Sequence, residues 1–194
     1  PTMPENCTLD AALGVVTQEG ERTARVVGRD ERALLSSDLS PEDYFEESLP
    51  NKKRKELRRQ ARRLAEQGKL VVERATQAEA IGAFADRFLT LEAASWKGRA
   101  GSSLAADPAR ARFFRQSLVG AAEIGRVEGL SLTLDGEPIA MLATFLTPPG
   151  AFSFKTTFDE TFARFSPGVL LQKENLDLLA NEDIEWCDSC AAPD

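Results

Sequence analysis

The chemistry open to this chain is bounded first by an absence. No histidine occurs in its 194 residues, which excludes Ser-His-Asp and Cys-His nucleophiles, His-ligated metals and an imidazole base. Acid–base work must fall to carboxylates, Lys, Cys, the single Tyr44 or water. Cys187 and Cys190 form a CxxC, with Cys7 as the third cysteine. A zinc site normally takes four Cys/His ligands, and a thioredoxin-type motif needs a helix start beneath it. Only four residues follow Cys190. The spacing reads as incidental, Cys190 as structural, and no metal is expected.

The stretch with the most chemical content is Phe152–Leu179. A strand-like run ends in an acidic turn, after which Arg164, Ser166, Pro167 and Gly168 open a helix. Ser is a favoured N-cap, and Pro at the first helical position wastes no donor. Gly168 lets a ligand approach the backbone. Free N–H groups at a helix start, with an Arg nearby, suit phosphate. The plainer alternative is a Ser-Pro cap on a core helix. From the local sequence, both readings stand.

Net charge is −7, yet eight basic residues crowd into positions 52–63, among them Arg58, Arg59, Arg62 and Arg63. Leu57, Ala61 and Leu64 fall at i, i+4 and i+7, the pattern of an amphipathic helix with one buried stripe. A nucleic-acid module built on this helix is one reading. No aromatic residues interleave for base stacking, and charge runs usually mark a solvated face, so that reading ranks last. No apolar run approaches a membrane span and no signal peptide is visible, so a cytoplasmic protein without a membrane partner is expected. The Pro1 start and Ala191–Asp194 end read as those of an excised piece.

These residues must be positioned by a regular series of elements. Residues 1–50 read as an arm: a hairpin of Leu13–Thr17 and Thr23–Val27 around Gly20, then a helix capped by Ser40 and running through Leu49. The basic helix spans about Lys52–Gln67 and Gly68 closes it. Next come a strand at Leu70–Glu73, a helix at Gln77–Ala94, and a Gly/Ser-rich loop from Trp96 through Ser103. Asp107 and Pro108 start a helix to about Ala122 that buries Phe113, Phe114 and Leu118. Strands Gly129–Leu134, Ile139–Leu146 and Phe152–Thr157 follow, joined by Asp135-Gly136 and Pro148-Pro149-Gly150 turns. A helix Gly168–Leu179 and a strand Ile184–Cys187 end the series.

That order resembles the GNAT acyltransferase superfamily, and five local strings are similar to its CelD-like, FemAB-related branch. They are Leu91-Glu92 with Ser95-Trp96-Lys97-Gly98, Leu134 to Ala140, Lys155 to Glu160, Phe165 to Leu171, and Asp188 to Ala191. With the basic helix they cover about residues 45–192. The resemblance implies an α/β fold with a mixed, mostly antiparallel central sheet flanked by helices. Residues 51–194 would form the domain, without its final helix and strands. It also implies an acyl-CoA-dependent N-acyltransferase of the acetyltransferase kind, with acetyl-CoA or another acyl-CoA as co-substrate. The acceptor would be an amine of a small molecule, amino sugar or peptide, and a second GNAT-like domain of a parent protein is a possible partner. The alternative class is a catalytically silent GNAT-like binding module.

In that fold the strand before the phosphate loop splays from the next one, leaving a V-shaped gap for the pantetheine arm. Arg164, Ser166, Gly168 and Val169 would then hold the pyrophosphate, with Gly168 alone standing for the family's spaced glycines. Acyl transfer needs a proton acceptor for the amine and stabilisation of the oxyanion. Asp159 and Asp188, at the ends of the two splaying strands, are the candidates for proton transfer, ahead of Glu160. Trp96 and Lys97 would lie on the acceptor side, Glu92 would orient their loop, and Lys155 would reach the edge or pair with Asp159.

Overall fold

Asp135 and Gly136 take φ of 53° and 89°, the left-handed pair that a two-residue hairpin demands. This turn joins β3 (Val127–Leu134) to β4 (Glu137–Thr147), and β5 (Gly150–Phe158) completes an antiparallel meander. The computed structural model describes residues 7–191; residues 1–6 and 192–194 lie outside it. The described residues divide into two units, residues 7–31 and Arg32–Ala191.

The first unit holds one helix, α1 (Thr8–Glu19), closed by Gly20. The expected hairpin of Leu13–Thr17 and Thr23–Val27 does not form. Ala11, Ala12 and Leu13 are strong helix formers, and i→i−4 bonds need no partner strand. Thr17 Oγ1 donates back to the Leu13 carbonyl at 2.8 Å, inside that helix.

The second unit contains β1 (Leu34–Leu35), α2 (Pro41–Ser48), α3 (Asn51–Ala65), β2 (Leu70–Ala75), α4 (Ala78–Ala94), α5 (Trp96–Arg99) and α6 (Pro108–Glu123). After the meander come a 3₁₀ turn at Glu160–Phe165, α7 (Pro167–Glu174), a second 3₁₀ turn at Asn175–Ala180, and β6 (Trp186–Asp188). The expected helix through Leu179 therefore tightens after Glu174, and α5 adds a helical turn to the expected loop. Caps fall where the residue types call for them. Asp43 N–H donates to Ser40 Oγ at 3.1 Å, and Ala109 N–H donates to Asp107 at 2.8 Å.

The sheet runs β1-β6-β5-β4-β3-β2, antiparallel except between β5 and β6. Both faces are covered. Along β4, Ala140 and Leu142 pack with Leu57, Leu64, Leu170 and Leu171, while Met141 and Ala143 pack with Ile81, Phe84, Phe88, Phe114 and Leu118. The period-two alternation of a strand thus serves two apolar layers. In the basic helix α3, Leu57 and Leu64 are buried, Arg58 pairs with Glu46 at 3.0 Å, and Arg54 bonds the Glu46 carbonyl.

Phe113 corrects an expectation: it is 69 % exposed, while Phe114 is 2 % exposed. Helical rotation puts Phe114 and Leu118 on one face, and the neighbour of a core residue lies about 100° away. Phe114→Ala should destabilise the chain by about 3–5 kcal/mol, whereas Phe113→Ala should change stability by less than about 0.5 kcal/mol. Urea unfolding of the two variants measures the contrast.

Candidate active site

The site grows from a fork in the sheet, the place where β6 ends and β5 runs on. β6 pairs with β5 only from Gly150 to Phe152, opposite Trp186 to Asp188. From Ser153 to Phe158, β5 keeps β4 as a neighbour and has no strand among the described residues on its other side. Gly150 permits the junction, because a Cβ there would sit inside the Trp186 ring. That ring meets Phe152 edge-on, with centroids 5.4 Å apart.

One wall of the open edge comes from α4 and α5. Glu92 is fully buried. Its carboxylate accepts from Leu104 N–H at 2.7 Å and lies 3.5 Å from Lys97 Nζ and 3.3 Å from Lys155 Nζ. Lys97 Nζ also donates to the Thr156 carbonyl of β5 at 2.9 Å. The lysine side chains are 23 % and 27 % exposed. The structure thus gathers Glu92, Lys97 and Lys155 into one cluster, and Lys155 pairs with Glu92 rather than Asp159. Sixty-three residues separate the partners, so no local pattern could announce the pair.

The α5 turn is pinned where it stands. Trp96 N–H donates to Glu160 at 2.9 Å, and Arg99 pairs with the same carboxylate. The Arg99 hydrogen bond holds the Glu160 carboxyl below its usual range, so Glu160 is an ionised clamp. Gly98 allows the turn, since a Cβ there would overlap the Ala93 carbonyl. Trp96 is left 53 % exposed.

The end of the edge carries the phosphate-type turn. Ser166 adopts φ 53°, and its carbonyl accepts from Val169 and Leu170 N–H at 3.0 Å each. Its hydroxyl makes no capping bond, contrary to the expectation of a Ser cap. A left-handed N-cap turns the side chain away from the N–H groups it would otherwise accept from. Gly168 N–H has no backbone partner among the described residues. Arg164 lies over the Phe165 ring at 4.6 Å, and its carbonyl accepts from Gln60 of α3 at 3.2 Å.

The two candidate bases differ in what engages them. Asp159 Oδ1 accepts from Thr161 N–H and Oγ1, both at 2.8 Å. Asp188 is engaged at both oxygens, by Cys190 N–H at 2.6 Å and Arg32 at 3.4 Å. Cys187 Sγ lies 3.3 Å from Ser153 Oγ, and burial pushes the Cys187 and Cys190 thiols up. Neither is primed as a nucleophile.

Below the fork is a cavity of about 250 Å³ whose walls include Ser153, Cys187, Asn175 and Tyr44. Asn175 Nδ2 donates to Ser153 Oγ at 3.4 Å. Asn175 is not among the residues singled out from the sequence; its signal there is a lone amide on an apolar stripe, with Leu171, Asn175 and Leu178 at i, i+4 and i+7. Among the described residues no cluster of His, Cys, Asp or Glu could hold a metal ion, and no helix is long and apolar enough to cross a membrane.

A mostly antiparallel sheet that forks at its one parallel pair, with a helix start at the end of the free strand, is a GNAT fold. The chain belongs to the acetyltransferase (GNAT) domain family, whose model matches residues 51–194. Among solved structures, FemX aligns with a TM-score of 0.60 at 12 % identity, over 94 % of this chain and 60 % of FemX. The chain therefore spans three-fifths of that protein. The PaiA N-acetyltransferase of Thermoplasma acidophilum, solved with coenzyme A, aligns with a TM-score of 0.44 at 13 % identity, over 58 % of this chain and 74 % of its own. At such identities the likeness is one of fold. No curated protein sequence matches the chain.

Removing the shared carboxylate should be costly. Glu92→Gln leaves two half-buried cations facing each other and should destabilise by about 2–3 kcal/mol, the low side for a broken buried pair because both lysines keep some contact with water. Urea unfolding should also show that adding Lys155→Met restores part of the loss.

Proposed function

We propose that this chain is the acyl-CoA-binding part of an N-acyltransferase acting on an amine of a small molecule, amino sugar or peptide. The observation that carries the reading is the fork: β5 runs on past β6 with an unpaired edge and ends at a turn suited to phosphate. Unsatisfied strand edges and free N–H groups at a helix start are what an extended, phosphate-bearing arm can bond. The donors fit in kind: Gly168 N–H, the Ser166 hydroxyl and the Arg164 guanidinium lie within one turn, with Val169 beside them on α7.

When bound, acyl-CoA supplies an activated thioester. The chain would supply the proton acceptor and the seat for the amine-bearing molecule. Asp159 is the better placed of the two carboxylates, because its Oδ2 makes no hydrogen bond among the described residues whereas both Asp188 oxygens are engaged. Trp96, Lys97, Lys155 and Glu92 form the acceptor wall.

Acetyl-CoA at about 100 times its Kd should stabilise the chain by about 2.7 kcal/mol, read as a rise in Tm. Arg164→Glu should abolish that rise; an unchanged rise would remove Arg164 from the phosphate role. Asp159→Asn should leave acetyl-CoA binding intact and lower amine acetylation by about 10²–10⁴-fold. An undiminished rate would pass the role to Asp188 or to water.

A further inference from the structure

We propose that the Lys97–Lys155 pair beside the free edge of β5 is a seat for an oxyanion, so that the acceptor carries a carboxylate or phosphate besides its amine. This rests on the acyltransferase reading for the word acceptor, but the seat itself stands on charge and burial. Two ammonium groups share one carboxylate, that of Glu92, so the cluster keeps one positive charge. The carboxylate of Glu160, tied to the same wall through Trp96, is already matched by Arg99.

Lys155 carries the argument furthest. Its ammonium has three donors, and among the described residues its one partner is Glu92, at 3.3 Å. Its side chain is nevertheless mostly withdrawn from water. A partly desolvated cation with spare donors is stabilised by an anion. A second, independent feature lies on the same face. Lys155 stands opposite Ala143 and Thr157 opposite Met141, and both partners belong to the layer beneath α4 and α6. Thr157 Oγ1 on that face is buried without a hydrogen-bond partner.

The same charge excludes the alternative occupant. An acceptor amine, protonated on arrival, would be repelled by two lysines, so its nitrogen must lie elsewhere along the edge while its anionic group rests here. Trp96, exposed next to Lys97 in sequence, offers an apolar plate for the body of such a molecule. Glu92 acts through the lysines and is a positioning residue.

Binding to the full chain tests the proposal by titration calorimetry with two matched pairs. These are glucosamine 6-phosphate against glucosamine, and glycylglycine against glycylglycinamide. The anionic member of at least one pair should bind about tenfold or more tightly, and the pair that discriminates tells phosphate from carboxylate. Lys155→Gln should erase the preference and Lys155→Arg should keep it, each variant checked for a cooperative melt. Lys97→Gln replaces Lys155→Gln if the latter does not melt cooperatively. Equal binding within both pairs, no binding by any of the four probes, or a preference that survives Lys97→Gln with Lys155→Gln would overturn the seat. If acetyl-CoA binds and no preference appears, this proposal falls alone. A preference without acetyl-CoA binding would instead sink the acyltransferase reading and leave the seat standing.

Discussion

The backbone of β5 beyond Phe152 sets the problem that the rest of the domain answers. A strand that loses its neighbour exposes a row of N–H and C=O groups, and such groups must find partners or water. Here β6 is three residues long and ends while β5 runs on, and no other strand among the described residues takes its place. A lysine from α5 takes one carbonyl, a buried glutamate fixes that lysine, and a clamp from Glu160 fixes the turn that carries it. The polar groups of the site are thus the means by which an interrupted sheet is made tolerable.

This explains why a fully buried carboxylate is kept on α4, the helix that also carries the apolar core residues Ile81, Phe84 and Phe88. Buried charges persist where they are paired and hydrogen-bonded, and Glu92 has a backbone donor and two ammonium groups. The cluster joins α4, α5 and β5, elements whose mutual position decides how wide the free edge stands open. Its energetic role and the chemical role proposed for it are carried by the same atoms.

Much of the scaffold was legible because its signals are local. Asp135-Gly136, Ser40-Pro41 and Asp107-Pro108 each dictate a turn or a cap within four residues, and the spacing of Ile81, Phe84 and Phe88 marks a core-facing helix. The order of these elements carried the family resemblance, and the resemblance put Arg164 to Gly168 at the end of a splaying strand. What was not legible is either context or distance. Leu13–Thr17 suits strand or helix, and the preceding Ala11-Ala12 settles it. Phe113 and Phe114 are equally apolar, and only rotation about α6 separates them. Glu160 looks like any acidic turn residue until Trp96 and Arg99 arrive from sixty residues away. Two-residue β1 has no period to detect at all.

The crotch of the fork has a mechanical consequence. Phe152 and Trp186 meet edge to face along the three paired residues of β5 and β6, with the Trp186 ring over a Gly150 that leaves no room for a side chain. Aromatic rings are stiff, and two of them packed across paired residues brace the strands against a shift of register. The two strands are therefore locked in register at the root from which β5 runs on alone.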